Sequence, residues 1–80
     1  MNNHTLNDKL GELHAGESGI ILSIDGDRAE RLRELGFIEG ARVDVLHEAP
    51  WSHDPIAVQV RGGIVALRRE EANAIRIEGV

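Results

Sequence analysis

The sequence has 80 residues, a formal charge of −5 with histidines neutral, no cysteine, and two aromatic side chains, Phe37 and Trp51. A chain of this length is one domain that buries about 60% of its unfolded surface, which leaves little material for a deep pocket. The missing thiol excludes disulfides, thiolate zinc sites and cysteine nucleophiles, and the acidic balance with so few aromatics argues against nucleic acid as a ligand.

Residues 1–9 are polar, with Leu6 the one apolar side chain after Met1, and read as a loosely held lead-in to a domain spanning 10–80. Leu10 and Leu13 stand three apart, enough for one helical turn near 10–13 pinned to a core. Ser18 to Ile24 reads as a first strand, with Ile20, Leu22 and Ile24 alternating onto the inner face. Asp25-Gly26 is a turn. A helix is predicted near 27–36. Asp27 and Glu30 have the spacing of a capping box, while Ala29, Leu32 and Leu35 form an apolar stripe. Glu30 with Arg33, and Arg31 with Glu34, are placed to pair along it. Gly36 suits the left-handed residue that ends a helix, after which Phe37 or Ile38 can fold back on the last turn.

Ala41 to Glu48 reads as a second strand, with Val43 and Val45 inward. Pro50 to Pro55 is a connection, because two prolines cannot both serve a central ladder. Ile56, Val58 and Val60 mark the third strand, Gly62-Gly63 a turn, and Val65 with Leu67 the fourth. A helical turn near 70–74 leads to a last strand through Ile75 and Ile77. Five short strands joined by tight turns predict a mainly β domain, a closed or nearly closed small barrel. Closure spares so small a sheet its exposed edges. Ile20, Leu22, Ile24, Val43, Val45, Ile56, Val58, Val60, Val65, Leu67, Ile75 and Ile77 are the expected filling, with Leu32 and Leu35 plugging one end.

Several stretches now resemble one family. Leu10-x-x-Leu13-x-x-Gly16 is similar to the opening of FeoA proteins. Arg31-Leu32-x-x-Leu35-Gly36-Phe37-Ile38-x-Gly40 looks like that family's most recognisable segment. Ala49-Pro50, Asp54-Pro55-Ile56 and Val60-Arg61-Gly62 resemble its central hairpin, and Leu67-Arg68-x-Glu70-Glu71-Ala72 its closing motif. The resemblance runs from about residue 10 to 78. It implies a five-stranded SH3-like barrel with one inserted helix, akin to the carboxyl-terminal domain of diphtheria-toxin-repressor-type metal-dependent repressors. It also implies an accessory protein of ferrous iron uptake, docking on the cytoplasmic GTP-binding domain of a membrane ferrous iron transporter (FeoB-like). Fold alone does not carry that role.

The residues bear on function in three places. Trp51 lies in the proline-bounded connection, where it either folds back to cap the barrel or stays exposed as an anchor, tryptophan being the side chain most enriched at interface hot spots. With the helix face of Arg31, Arg33 and Glu34 it forms the expected partner surface. His47-Glu48 and His53-Asp54 flank the same connection. Imidazole with carboxylate suits a divalent transition metal such as iron. However, no pair has the i, i+4 helical spacing, so the expectation is no required cofactor and weak metal binding at most. A direct metal-binding, sensor-type SH3-like domain is the alternative function. His14 belongs to the opening turn and reads as surface, and His4 to the tail. No enzyme is expected. Glu70 and Glu71 are adjacent acids that suit a helix start, and neither a phosphate-binding GxxxxGK[ST] loop nor a strained nucleophile turn is present. The Met1–Thr5 start lacks the features of a signal peptide, and no apolar run is long enough to cross a bilayer. The absence of cysteine is what a reducing cytosol permits, and the expectation is a cytoplasmic chain without membrane insertion.

Overall fold

The structure, a computed structural model, describes residues 8–80. The lead-in and His4 lie outside them, apart from residues 8 and 9. The described elements in chain order are β1 (Asp8–Lys9), a 3-10 turn (Leu10–Glu12), β2 (Ser18–Ile24), α1 (Ala29–Glu34), β3 (Arg42–Glu48), β4 (Ile56–Val60), β5 (Gly63–Leu67), α2 (Arg69–Ala72) and β6 (Ile75–Gly79). The five longer strands correspond to the five expected from the sequence. The two-residue β1 is an addition, paired with β6. All pair antiparallel in the order β1-β6-β2-β3-β4-β5.

Two register shifts coil this sheet. One falls between Ile21 and Ser23 on β2 against β6, the other between Val45 and His47 on β3 against β4. Each extra residue bends its strand and deepens the local twist, which lets the sheet wrap around one core. The first bulge also corrects the expected filling. Ile21 and Ile24 are buried, Ile20 is half-buried, and Leu22 is exposed. Ile20, Ile21, Leu22 and Ile24 are all apolar, so alternation could not fix which parity faces inward. The pairing with β6 does.

Helix α1 is shorter than the predicted 27–36 stretch. Its N-cap is Arg28, without a side-chain cap, so the expected Asp27–Glu30 box does not form. The expected pairs along the helix do not form either. Arg33 reaches forward to Glu39 at 3.1 Å, and Arg28 lies 3.7 Å from Glu71. The carboxy-terminal end follows the expectation closely. Gly36 has φ +111°, its N–H donates to Arg33, and the Phe37 N–H donates to Leu32. This double bond satisfies the last carbonyls and folds Phe37 into the core, where it is fully buried beside Leu32. Phe37 therefore takes the plugging place expected of Leu35, which is 40% exposed.

The two ends of the sheet come together through the short helical pieces. Leu10 and Ala72 are fully buried. Gly11 sits so close to α2 that a Cβ there would overlap the Asn73 side chain and the Arg69 carbonyl. Glycine is required at this point by close approach rather than by φ.

Candidate functional site

The segment from the end of β3 to the start of β4 carries the chemistry. The bulge after Val45 resets the alternation, and Glu48 then ends the strand. Ala49 N–H donates to the Pro55 carbonyl, and His53 N–H donates back to the Ala49 carbonyl, so the intervening residues form a compact loop. Trp51 and His53 have φ of +72° and +62°. Left-handed backbone at a bulky residue is unusual and costs about 1–2 kcal/mol. The conformation turns the indole outward, leaving Trp51 97% exposed.

The loop is held from beneath by Arg69. Its Nη1 donates to the carbonyls of Gly11 at 2.9 Å and Leu13 at 2.7 Å. Nη2 donates to Glu48 Oε1 at 2.6 Å, and Nε to the His53 carbonyl at 2.8 Å. Its backbone N–H donates to Asp54 Oδ1 at 2.9 Å. The planar fork of a guanidinium can bind several acceptors at fixed angles, which a lysine cannot reproduce. One residue therefore ties the opening turn, the end of β3, the Trp51 loop and α2 together.

Glu48 is the common acceptor of this cluster. Besides Arg69, it receives the Ala15 N–H at 2.9 Å, His14 Nδ1 lies 3.1 Å away, and His53 Nδ1 lies 3.5 Å away. The Ala15 N–H bond, followed by the His14 bond, holds its carboxyl at about 2, against the opposing effect of burial. Two other carboxylates lie below their ordinary range for analogous reasons. Asp44 accepts from the Ser18 hydroxyl and from Arg42, and Glu39 accepts from Arg33.

The four residues expected as metal ligands are thus divided. Glu48 and His53 come together, joined by His14 rather than His47. The Asp54 carboxylate is engaged by the Arg69 N–H. His47 lines a separate groove of about 400 Å³ with Glu48, Ala49, Pro50, Pro55, Ile56, Ala57 and Ala66. Among the described residues, no cluster of three or more His, Asp or Glu is arranged to hold a metal ion. Arg31, Arg33 and Glu34 are all exposed on α1. Among the described residues, no helix is long and apolar enough to cross a membrane.

Sequence reasoning missed Arg69 and His14. Arg69 is 21 residues from Glu48 and 58 from Gly11, so no local spacing signals their meeting.

Comparison with known proteins places this geometry in a family. The FeoA domain model matches residues 9–79. The chain is 35% identical over 72 residues to the Fe(2+) transport protein A/Fe(2+) transporter FeoB fusion protein of Porphyromonas gingivalis. That match covers 88% of this chain and 8% of the fusion protein. Among solved structures, FeoA of Stenotrophomonas maltophilia, described as a prokaryotic SH3-domain protein complexed with zinc, superposes with a TM-score of 0.79. It is 33% identical, with 89% of each chain covered. A manganese-dependent transcriptional repressor shares the fold at a TM-score of 0.77 and 22% identity, over 96% of this chain and 38% of its own. The mainly β barrel is thus SH3-like, and the chain belongs to the FeoA family.

Proposed function

We propose that this protein is an accessory domain of ferrous iron uptake, working on the cytoplasmic side of the membrane. It docks on the GTP-binding domain of a FeoB-type transporter. The observation that carries this reading is the Porphyromonas gingivalis relative, in which a FeoA-like part and a FeoB transporter form one chain. Covalent fusion raises the effective concentration of two modules that work together. The docking surface is the Trp51 loop with the α1 face of Arg31, Arg33 and Glu34. An exposed indole on a short, internally bonded loop loses little conformational freedom on contact, which suits a small transient interface. The test is capture of the isolated GTP-binding domain by the immobilised protein, comparing native with Trp51→Ala. Weaker capture by a folded variant supports the reading, and unchanged capture removes Trp51 from the surface. Deletion of the gene, with growth followed in iron-limited anaerobic medium and rescued by ferrous salt, tests the transport role itself.

A second reading is direct binding of a divalent metal. It is favoured by the zinc complex of the Stenotrophomonas maltophilia relative and by the convergence of His14 and His53 on Glu48. The Arg69 guanidinium on the same Glu48 oxygen opposes it, since a bound cation would meet a fixed positive charge. Calorimetry with manganese, cobalt or zinc separates the readings. Weak or undetectable heat favours docking alone, whereas a one-to-one isotherm abolished by His14→Ala plus His53→Ala favours a sensor.

A further inference from the structure

Strand β5 is one of the two outer strands of the sheet, β1 being the other, and is paired with β4 on one side. The turn between them determines which backbone groups are left over. Arg61 and Gly62 have φ of +49° and +86°, a two-residue turn with both φ positive. Val60 and Gly63 close such a turn as a hydrogen-bonded pair. Alternation along the ladder then turns the N–H and C=O of Gly63, Val65 and Leu67 toward β4, and those of Ile64 and Ala66 away from it. The side chains alternate in step. Leu67 is buried and Val65 half-buried, while Ile64 is 65% exposed and Ala66 is exposed beside Ala57. The groove described above runs from the Trp51 loop to Ala66.

Edge strands are usually blunted by a charge, a proline or a bulge. β5 has none of these. Gly63-Ile64-Val65-Ala66-Leu67 is uncharged, and its pairing with β4 shows no register shift. The charge lies at its ends, where Arg61 and Arg68 are both exposed. Among the described residues neither is in an ion pair, although the chain carries a formal charge of −5. A second copy is a poor occupant. Antiparallel pairing about Val65 would set Arg61 beside Arg68 of the other copy, with like charges at both ends. A polyproline ligand fits no better, because it needs a groove lined by several aromatics, and with Phe37 wholly buried Trp51 is the single exposed one.

We infer that β5 accepts an extended segment of a partner protein by strand addition, a segment apolar at its centre and acidic at both ends. The inference gives the docking proposed above a recognition mode, and rests on that reading only for whose segment it is.

The test uses two end-blocked peptides, Glu-Asp-Thr-Val-Thr-Val-Thr-Asp-Glu and its counterpart with lysine at every acidic position. They are titrated into isotope-labelled protein, with amide exchange measured residue by residue. The acidic peptide is expected to bind and to protect the Ile64 and Ala66 amides. The lysine peptide should bind roughly tenfold more weakly, from like-charge contacts at both ends. Arg61→Glu with Arg68→Glu should invert the preference. Ala66→Pro removes an outward N–H while sparing the β4 ladder and should abolish binding. If that variant fails to fold, the charge reversal at two exposed positions decides. No binding, equal binding of both peptides, or binding without protection at Ile64 and Ala66 overturns the inference. So does concentration-dependent protection of those amides in the protein alone, which would assign the edge to a second copy. No transporter is present in this assay, so it reads independently of the docking proposal. Transporter capture lost in Trp51→Ala but unchanged in the double arginine variant would leave docking standing and remove β5 from it.

Discussion

Trp51 and Glu48 are three residues apart, and opposite physics governs them. The Trp51 side chain is almost wholly in water, so it contributes nothing by burial, while its φ of +72° is strained for any side chain. Trp51→Gly should therefore be as stable as the native protein, or more stable by up to about 1 kcal/mol, while losing the docking anchor. Urea melts check this. Fluorescence gives a second check, since Trp51 is the sole tryptophan and there is no tyrosine. The emission should be red-shifted and readily quenched by acrylamide, and a protected blue-shifted emission would assign the indole to the core instead. Glu48 works through hydrogen bonds to its charged form. Its carboxyl, ordinarily near 4.5, is held at about 2 in the folded state. A depressed carboxyl stabilises the fold above the unfolded value, and that contribution is lost as pH falls from about 4.5 through about 2. Glu48→Gln should be less stable at pH 6 and should lose less further stability than the native protein between pH 4.5 and 2. An equally steep acid limb in both would remove Glu48 from this role.

At the scale of elements, closure of the barrel depends on two small contacts rather than on a continuous ladder. The 3-10 turn packs on α2 at Gly11, where a methyl group would strike Asn73 and the Arg69 carbonyl. Gly11→Ala should cost about 1–3 kcal/mol as an overpacked site, with a lower denaturant midpoint as the readout. Arg69 bridges the same elements through the carbonyls of Gly11, Leu13 and His53 and the Glu48 carboxylate. Arg69→Met should cost roughly 2–3 kcal/mol, because several acceptors lose a charged donor together. Arg69→Lys should recover only part of it, since an ammonium cannot fork to four acceptors on three segments. The same change should raise amide exchange in residues 49–55 if Arg69 holds the Trp51 loop in place. Unaltered exchange there would confine its role to the opening turn.

For the molecule as a whole, one small core serves every described element but β1. Leu32 and Phe37 reach it from the inserted helix and its end, and the strands supply Val43, Val45, Ile56, Val58, Val60, Ile75 and Ile77. A domain of this size has little stability to spare. Leu32→Asp places an unpaired charge among these side chains, at a cost of several kcal/mol, roughly, and should abolish cooperative melting. A soluble Leu32→Asp variant that melts cooperatively would contradict the core assignment.

The residues themselves determined the class of fold, the five longer strands and the place of the helix. Val43, Ile56, Val58 and Val60 alternate with polar or small neighbours, and Gly36 announces the end of α1, so local chemistry settles these elements. The family was legible too, because Arg31-Leu32-x-x-Leu35-Gly36-Phe37 and the closing motif lie in unbroken stretches. The tertiary structure alone decided what depends on pairing between distant segments. Which of Ile20, Ile21 and Leu22 faces inward was set by a bulge against β6. The inward turn of Phe37, with Leu35 left outside, followed from how the helix end seats on the barrel. Arg69 sat at an unspecified position of the closing motif, yet it is the residue on which the candidate site is built. Its acceptors are scattered along the sequence, and no periodicity reports a meeting that exists only once the sheet has coiled and brought its two ends together.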